Sequence, residues 1–200
     1  MRTPCPVLVI ALTLASLPVP SRAAITPAGV PNFRQVTEHI YRGGQPSFTA
    51  WPQLAGLGMK TIVDLRQRTE HPVAAESTAV VAAGMRYVNF PMNGFATPTA
   101  AQMAQVLPLL DGSAKVFVHC KLGCDRTGTV VAAYRIARQR WENRRALSEA
   151  LSSGLHWYEA GMKRFINGYR GERLEAVAGA PVAVEQPALA PDSSGAARQP

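Results

Sequence analysis

The chain has 200 residues, of which 47% are hydrophobic and 17% charged, a size and composition that suit one domain with dispensable ends. Its formal net charge of +8 favours anionic substrates or surfaces. Nucleic acid is disfavoured as a partner, because the sequence has no basic run interleaved with aromatic residues, no zinc-ligand spacing and no recognition-helix pattern.

Residues 1–23 have the pattern of a cleavable export signal. A short segment containing Arg2 precedes the apolar run Pro6–Pro18, and small residues follow up to a predicted cleavage site after Ala23. The run is too short to span a bilayer, so we expect no stable membrane insertion. Cleavage would remove Arg2 and Arg22 and lower the formal charge from +8 to +6. The sequence therefore predicts a periplasmic or secreted protein.

Residues 24–173 alternate short apolar runs with helical periodicity, whereas the Ala- and Pro-rich residues 174–200 are predicted to be a disordered tail. The predicted elements, in chain order, are a strand over His39–Arg42, a helix from Ser47 to Gly56 or Gly58, a strand over Lys60–Leu65, a helix over Pro72–Ala83, a strand over Arg86–Phe90, a helix over Pro98–Leu110, a strand over Lys115–His119, and helices over Thr127–Arg138, Arg144–Leu151 and Trp157–Tyr169. Trp157 and Tyr158, at helical spacing with Met162, are predicted to lie in the core. The alternation predicts a three-layer α/β fold, with a mostly parallel sheet of about four to five strands flanked by helices.

The loop after the strand Lys115–His119 carries the clearest chemical signal. Parallel sheets bind ligands at the carboxyl ends of their strands, and the sequence there is Val-His-Cys-Lys-Leu-Gly-Cys-Asp-Arg-Thr-Gly. Amides of such a loop and of the following helix bind anions, and Gly123 allows the loop to turn tightly. Arg126 offers two parallel donors to phosphate oxygens, and this positive environment favours a nucleophilic thiolate at Cys120.

His119, Cys120, Gly123 and the run Arg126–Gly128 resemble the His-Cys-x5-Arg-(Ser/Thr)-Gly signature of the protein tyrosine and dual-specificity phosphatase superfamily. Two upstream segments, Tyr41–Pro46 and Ile62–Arg66, are also similar to those of bacterial and plant–fungal atypical dual-specificity phosphatases. The resemblance covers roughly residues 32–169 and implies the phosphatase form of the three-layer fold.

The resemblance implies a two-step hydrolysis of phosphate monoesters through a cysteinyl-phosphate on Cys120. Residues 119–126 would form the phosphate-binding loop, in the order His119, Cys120, Lys121, Leu122, Gly123, Cys124, Asp125 and Arg126. Arg126 would bind the equatorial oxygens, Thr127 would stabilise the departing thiolate, and His119 would fix the loop geometry. No metal or organic cofactor is expected, and no metal spacing links the other histidines.

The general acid is missing from its usual place in this family. Many relatives carry an aspartate on the loop that here reads Pro91–Pro98 and contains no acid, yet a leaving alkoxide needs a proton. We predict that Asp125 supplies it, as the resemblance to myotubularin-like and mixed-specificity secreted phosphatases implies. Asp64 reaching in from a neighbouring strand end, an acid-independent enzyme, and a purely helix-stabilising role for Asp125 stay open.

Other residues near the loop have candidate roles. Lys121 is a possible contact to a second phosphate, and Arg66 and Arg68 either extend the basic floor or pair with Glu70. Cys124 is either a small buried residue or a redox partner that forms a reversible disulfide with Cys120.

These residues predict a phosphatase for phosphotyrosine or other phosphoprotein substrates, for inositol phosphates and phosphoinositides, or for both. Two other classes stay open, a thiol-disulfide redox protein that uses Cys120 and Cys124, and a phosphate-binding pseudophosphatase without turnover. The sequence does not indicate an oligomeric state.

Overall fold

The computed structural model describes residues 26–171. The predicted signal peptide and the predicted tail over 174–200 lie outside these residues. Within 26–171, no helix is long and apolar enough to cross a membrane.

The elements follow the predicted order. They are β1 Arg34–Gln35, β2 Ile40–Gly43, a 3-10 turn Phe48–Ala50, α1 Trp51–Gly56, β3 Met59–Asp64, a 3-10 turn Arg68–Glu70, α2 Val73–Ala82, β4 Arg86–Asn89, α3 Ala100–Val106, a 3-10 turn Leu107–Leu110, β5 Lys115–His119, α4 Asp125–Gln139, α5 Asn143–Ser152 and α6 Ala160–Gly168.

One sheet organises the described chain. Its strand order is β1-β2-β5-β3-β4, and every neighbouring pair is parallel except β1 with β2. This confirms the predicted mostly parallel α/β sheet. The antiparallel edge strand β1 was not predicted, because its two exposed residues carry no apolar alternation.

Successive side chains of the central strands point to opposite faces of the sheet, where they join two separate apolar clusters. Val116 and Val118 of β5 face the cluster that includes α3, α4, α5 and α6, whereas Phe117 faces the one that includes α1 and α2. Burial on both faces explains why β5 reads as a continuous apolar run rather than an alternating one.

Three predicted helices have clearly different limits in the structure. The one expected from Ser47 begins as the 3-10 turn Phe48–Ala50 and becomes α-helical at Trp51. The segment expected to be one helix from Pro98 begins after Thr99, whose hydroxyl accepts from the Gln102 amide at 3.1 Å in a capping box. It tightens into a 3-10 turn at Leu107, where Pro108 follows. The last helix begins at Ala160 rather than Trp157.

Candidate active site

The predicted phosphate-binding loop lies at the carboxyl end of the central strand. β5 ends at His119, Cys120 follows at once, and α4 begins at Asp125. The neighbouring strands β2 and β3 end at the same edge, since Gly43 and Asp64 are both in register with His119. The parallel sheet therefore brings segments distant in sequence around Cys120.

The loop backbone is held so that its amides are free. Three consecutive carbonyls accept from groups on other segments: Lys121 from the Gln45 amide at 3.0 Å, Leu122 from the Asn32 side chain at 2.9 Å and Gly123 from Arg42 at 2.6 Å. Within residues 26–171, the N–H groups of residues 121–126 donate to no protein oxygen. A run of unpaired amides at a helix N-terminus is suited to bind an anion.

Gly123 is required by a close approach of two backbones. Its φ is +77°, and a Cβ there would lie 2.3 Å from the carbonyl carbon of Gly43 and 2.4 Å from the nitrogen of Gly44. The glycine pair at the end of β2 and the glycine in the loop thus allow one chain segment to pass directly over the other.

A pocket of about 470 Å³ opens over the loop. Cys120 and Arg126 line it, together with Lys121, Asp125 and Glu70. The structure therefore places the proposed nucleophile and the proposed phosphate-binding guanidinium in one cavity.

Glu70 holds the guanidinium of Arg126. Its two carboxylate oxygens accept from Arg126 at 2.5 and 3.0 Å. Burial alone would raise the pKa of Glu70, but the hydrogen bonds from Arg126 and from the Gln67 amide hold the pKa below its ordinary value. Arg126 is thus fixed in the pocket by an ionised partner 56 residues away.

A buried polar network supports the loop from below. His119 has no exposed surface, and its Nδ1 lies 3.4 Å from the Cys120 carbonyl while its Nε2 lies 3.1 Å from Glu76. Asp64 is also fully buried and accepts from the Arg66 guanidinium at 2.9 and 2.8 Å. Burial opposes ionisation of Asp64, but His119, His71 and Arg66 hold its pKa well below the usual range.

This network corrects two expectations. Arg66 does not pair with Glu70, because its guanidinium binds Asp64 and Glu76. It does not line the Cys120 pocket, but it lines a second cavity that shares Glu70 and Lys121 with that pocket. Asp64 does not reach into the pocket as an acid, since it is buried, ionised and absent from the pocket lining. The sequence places both residues at the end of a strand. It does not show toward which layer of the fold their side chains turn.

Arg68 is likewise absent from the Cys120 pocket. It lines a separate cavity beside α2, with His71 and Tyr87 among its neighbours. Lys121 does line the Cys120 pocket and is exposed there.

Asp125 is bound by His156. One of its oxygens accepts from the His156 backbone amide at 2.9 Å, and both oxygens lie 2.9 Å from the imidazole Nδ1. The turn of residues 156–159 is therefore attached to the first residue of α4.

The prediction that Trp157 and Tyr158 lie in the core is wrong. Trp157 is 81% exposed and Tyr158 is 53% exposed, while Met162 is fully buried. The helix begins only at Ala160, so the two aromatic residues lie on the preceding turn and escape the helical periodicity that predicted burial. Tyr158 and Phe95 line the rim of the pocket.

Sequence reasoning missed Glu159 and the structural role of Arg42. Glu159 lines the pocket although it lies 39 positions from Cys120, and no motif marks it. Arg42 was noted only as part of Tyr41–Pro46. An arginine at the end of an apolar strand, directly before a glycine pair, was the available signal.

Cys124, the residue before α4, and Thr127, in its first turn, are both buried. Thr127 is fully buried, and its hydroxyl has no hydrogen-bond partner within residues 26–171. Cys124 does not line the pocket, and its sulfur lies 3.4 Å from the Asn32 amide nitrogen. Both Cys120 and Cys124 are free thiols in this structure.

Asp64, Glu76 and His119 offer ligand atoms within 4.8 Å of one another. Arg66 donates to both carboxylates and is the cation of this group. The trio is therefore part of the buried polar network that supports the loop.

Several curated relatives are phosphatases by name. The chain is 32% identical over 123 residues to the OCA1 protein of Mycosarcoma maydis, which bears the name of a tyrosine-protein phosphatase, covering 60% of this chain and 77% of OCA1. It is 28% identical over 126 residues to the dual specificity protein phosphatase TpbA of Pseudomonas aeruginosa, covering 62% of this chain and 55% of TpbA.

Solved structures share the fold. TpbA of P. aeruginosa in complex with phosphotyrosine matches with a TM-score of 0.61 and 24% identity, over 72% of this chain and 87% of that one. The catalytic core of the PP-IP phosphatase SIW14 of S. cerevisiae matches with a TM-score of 0.63 and 22% identity, over 72% of this chain and 88% of that one.

Residues 25–163 match the family model described as "DSP-PTPase phosphatase fused to NAD+ Kinase". This range contains the loop, the glycine pair that it crosses and every residue that lines the pocket. The chain therefore belongs to this family of the cysteine-dependent protein tyrosine and dual-specificity phosphatase superfamily.

Proposed function

We propose that this phosphatase hydrolyses phosphate monoesters of aromatic alcohols, such as a phosphotyrosine side chain, through a cysteinyl-phosphate on Cys120. The observation that carries the proposal is the shared pocket of Cys120 and Arg126, above a loop whose amides are unpaired within the described residues. Amides and guanidinium would stabilise the negative charge of the transferring phosphoryl group.

The rim of the pocket favours an aromatic leaving group. Phe95, Leu122 and Tyr158 line the pocket, and each is among the exposed large hydrophobic residues. Exposed apolar side chains around a polar floor fit a substrate whose phosphate enters first and whose ring remains at the rim.

The charges of the pocket disfavour polyanions. Two carboxylates that accept hydrogen bonds, Glu70 and Asp125, line it against two cationic residues, Lys121 and Arg126, so the lining has no excess of positive charge. An inositol polyphosphate would need several further cations, and Arg66, expected to contribute one, is committed to Asp64 and Glu76. Within the Cys120 pocket, Lys121 is therefore the cationic residue besides the signature arginine that could contact a phosphoinositide headgroup.

Two residues of the site have proposed roles. Thr127 would donate its hydroxyl to the departing Cys120 thiolate, since the hydroxyl is buried and unpaired within residues 26–171. Lys121 would contact the substrate at the exposed side of the pocket. Asp125, the acid predicted from the sequence, lines the same pocket beside a second acid, Glu159.

The test is a panel of phosphotyrosyl peptides, phosphoinositides and inositol polyphosphates, assayed with the wild-type protein and Cys120→Ser. We expect turnover of the phosphotyrosyl peptides to exceed that of the inositol polyphosphates and to vanish in Cys120→Ser. If acid quenching of the wild-type reaction leaves a phosphoryl group on Cys120, a pseudophosphatase is excluded. Preferred turnover of inositol polyphosphates would contradict the aromatic assignment, and binding without turnover would contradict the enzyme.

We also propose that the protein acts outside the cytoplasm, in the periplasm or after secretion. The support is the pattern of residues 1–23 alone. Cell fractionation with N-terminal sequencing tests it, and a mature protein that retains residues 1–23 would contradict it.

A further inference from the structure

The proposed reaction needs a proton donor. When the Cys120 sulfur bonds to phosphorus, the phosphorus–oxygen bond breaks and the leaving oxygen keeps the electron pair, so a poor leaving group must be protonated. The loop Pro91–Pro98 contains no acid. Within the described residues, the carboxyl groups that line the pocket belong to Glu70, Asp125 and Glu159.

Glu70 is unsuited to donate a proton. Both of its oxygens accept from Arg126, and one also accepts from the Gln67 amide at 2.9 Å. These hydrogen bonds overcome the effect of burial and keep the pKa of Glu70 below its ordinary value. Glu70 is therefore the ionised partner of the signature arginine.

Asp125 is occupied as an acceptor. Its Oδ1 receives the His156 backbone N–H, which can only donate, and the His156 imidazole nitrogen lies 2.9 Å from both oxygens. The Glu159 amide in turn donates to the His156 carbonyl at 3.1 Å. Asp125 thus anchors the turn that presents Glu159.

Glu159 is the unpaired acid. It is 6% exposed, and within residues 26–171 its carboxyl group has no hydrogen-bond or ion-pair partner. It precedes the first residue of α6 without capping that helix. Burial and the negative charge of Asp125 raise the pKa of Glu159, against smaller opposing effects of His156 and Arg126, so it holds a proton to higher pH than an ordinary glutamate.

We propose that Glu159 is the general acid of the first step, and that Asp125 is a positioning residue that acts through His156. Glu159 transfers its carboxyl proton to the leaving ester oxygen as the sulfur–phosphorus bond forms. In the second step, water attacks the cysteinyl-phosphate and gives a proton to the Glu159 carboxylate, while the sulfur–phosphorus bond breaks and the Cys120 thiolate leaves. This inference rests on the proposed phosphatase function.

The experiment compares kcat/KM for dinitrophenyl phosphate, a good leaving group, with kcat/KM for phenyl phosphate, a poor one. Glu159→Gln should keep the wild-type value within about twofold on dinitrophenyl phosphate and lose about 100-fold or more on phenyl phosphate. Asp125→Asn should lose activity on both substrates by the same factor. Glu142→Gln, at an exposed acid outside the pocket, is the matched control and should equal wild type on both.

The pH profile gives an independent readout. A general acid works only while protonated, so kcat/KM of wild type on phenyl phosphate should fall as pH rises through the raised pKa of Glu159. Glu159→Gln should lack this fall, and Glu159→Asp should restore part of it.

Each outcome separates the two proposals. The role of Glu159 would be overturned if Glu159→Gln hydrolysed phenyl phosphate at the wild-type rate. It would also be overturned if Asp125→Asn, and not Glu159→Gln, lost activity only on the poor leaving group. Either result would leave the proposed phosphatase function intact. Absence of wild-type turnover on both substrates, or full turnover by Cys120→Ser, would overturn the proposed function itself. Activity on dinitrophenyl phosphate shows that Glu159→Gln is folded.

Discussion

Cys120 and Cys124 lie in the same loop but in different surroundings. Cys120 lines the pocket. The Cys124 sulfur instead lies near the Asn32 side chain and close to Gly154, where a Cβ would be 2.9 Å from it. Burial, followed by the charge of Asp125, raises the pKa of the Cys124 thiol. Because the thiolate is the reactive form, Cys124 is poorly suited to act as a nucleophile at neutral pH.

We therefore expect iodoacetamide at pH 7 to modify Cys120 first and to abolish phosphatase activity, as read by peptide mass spectrometry. Cys124→Ser is the matched control and should be inactivated at the same rate as wild type. Alkylation of Cys124 before Cys120 would contradict this assignment.

The disulfide between Cys120 and Cys124 stays a prediction. It requires that a reductant raise the activity of untreated protein and that Cys124→Ser lose this dependence. A raised pKa at Cys124 would make disulfide formation slow, because the attacking group must first lose its proton.

At the scale of elements, the active loop depends on the end of a neighbouring strand. Gly43 is the last residue of β2 and Gly44 follows it, and the two glycines leave the space through which Gly123 passes. Arg42, buried at the end of the same strand, holds the Gly123 carbonyl. The loop conformation is thus set by β2 as much as by the loop sequence.

Gly123→Ala should lower kcat/KM by about 100-fold or more, because the new Cβ would lie 2.3 Å from Gly43 and the positive φ adds strain. Gly56→Ala is the control: nothing lies within 4 Å of its Cβ position, so activity should be unchanged. A Gly123→Ala enzyme with wild-type kcat/KM would show that the close approach does not determine the loop geometry.

Asp64, the last residue of β3, contacts Arg66, Tyr87 and His71 in the buried polar network below the loop. Asp64→Asn should lower the free energy of unfolding by about 3 kcal/mol at pH 7, since it removes one partner of a buried ion pair. The control Asp111→Asn breaks the more exposed pair with Arg138 and should cost under about 1 kcal/mol.

The pH dependence of this loss has a defined sign. The folded-state pKa of Asp64 is lowered, so its stabilisation is present above the unfolded pKa and is lost as pH falls below about 4. Chemical denaturation at several pH values should show the wild type and Asp64→Asn converging in acid. A constant difference across that range would contradict the role assigned to the Asp64 charge.

At the scale of the whole molecule, the catalytic groups and both apolar clusters lie between Val30 and Tyr169. A chain shortened to end at residue 171 should therefore keep kcat/KM within about twofold and keep its melting temperature. Ending the chain at residue 158 is the contrasting variant, since it removes Glu159 and the buried residues Met162 and Ile166 of α6 and should unfold the protein. Lost activity on removal of residues 172–200 alone would show that the predicted tail takes part in function.

The parallel sheet and the loop from His119 to Arg126 could be predicted from the sequence. Both are encoded locally, the sheet by continuous apolar runs between helices and the loop by a fixed spacing of cysteine, glycine and arginine after a strand. Boundaries were less predictable: the aromatic turn at Trp157 was assigned to a helix because spacing alone does not reveal where a helix begins.

Only the tertiary structure decided the partners of the charged side chains. Glu70 binds Arg126, Arg66 binds Glu76, and Asp125 binds His156, each through the docking of separate elements. Local periodicity carries no information about such contacts, because it reports which face of an element is apolar and not which charge lies opposite. For the same reason Glu159, the acid that we assign to the reaction, became visible only when α6 was packed beside the pocket.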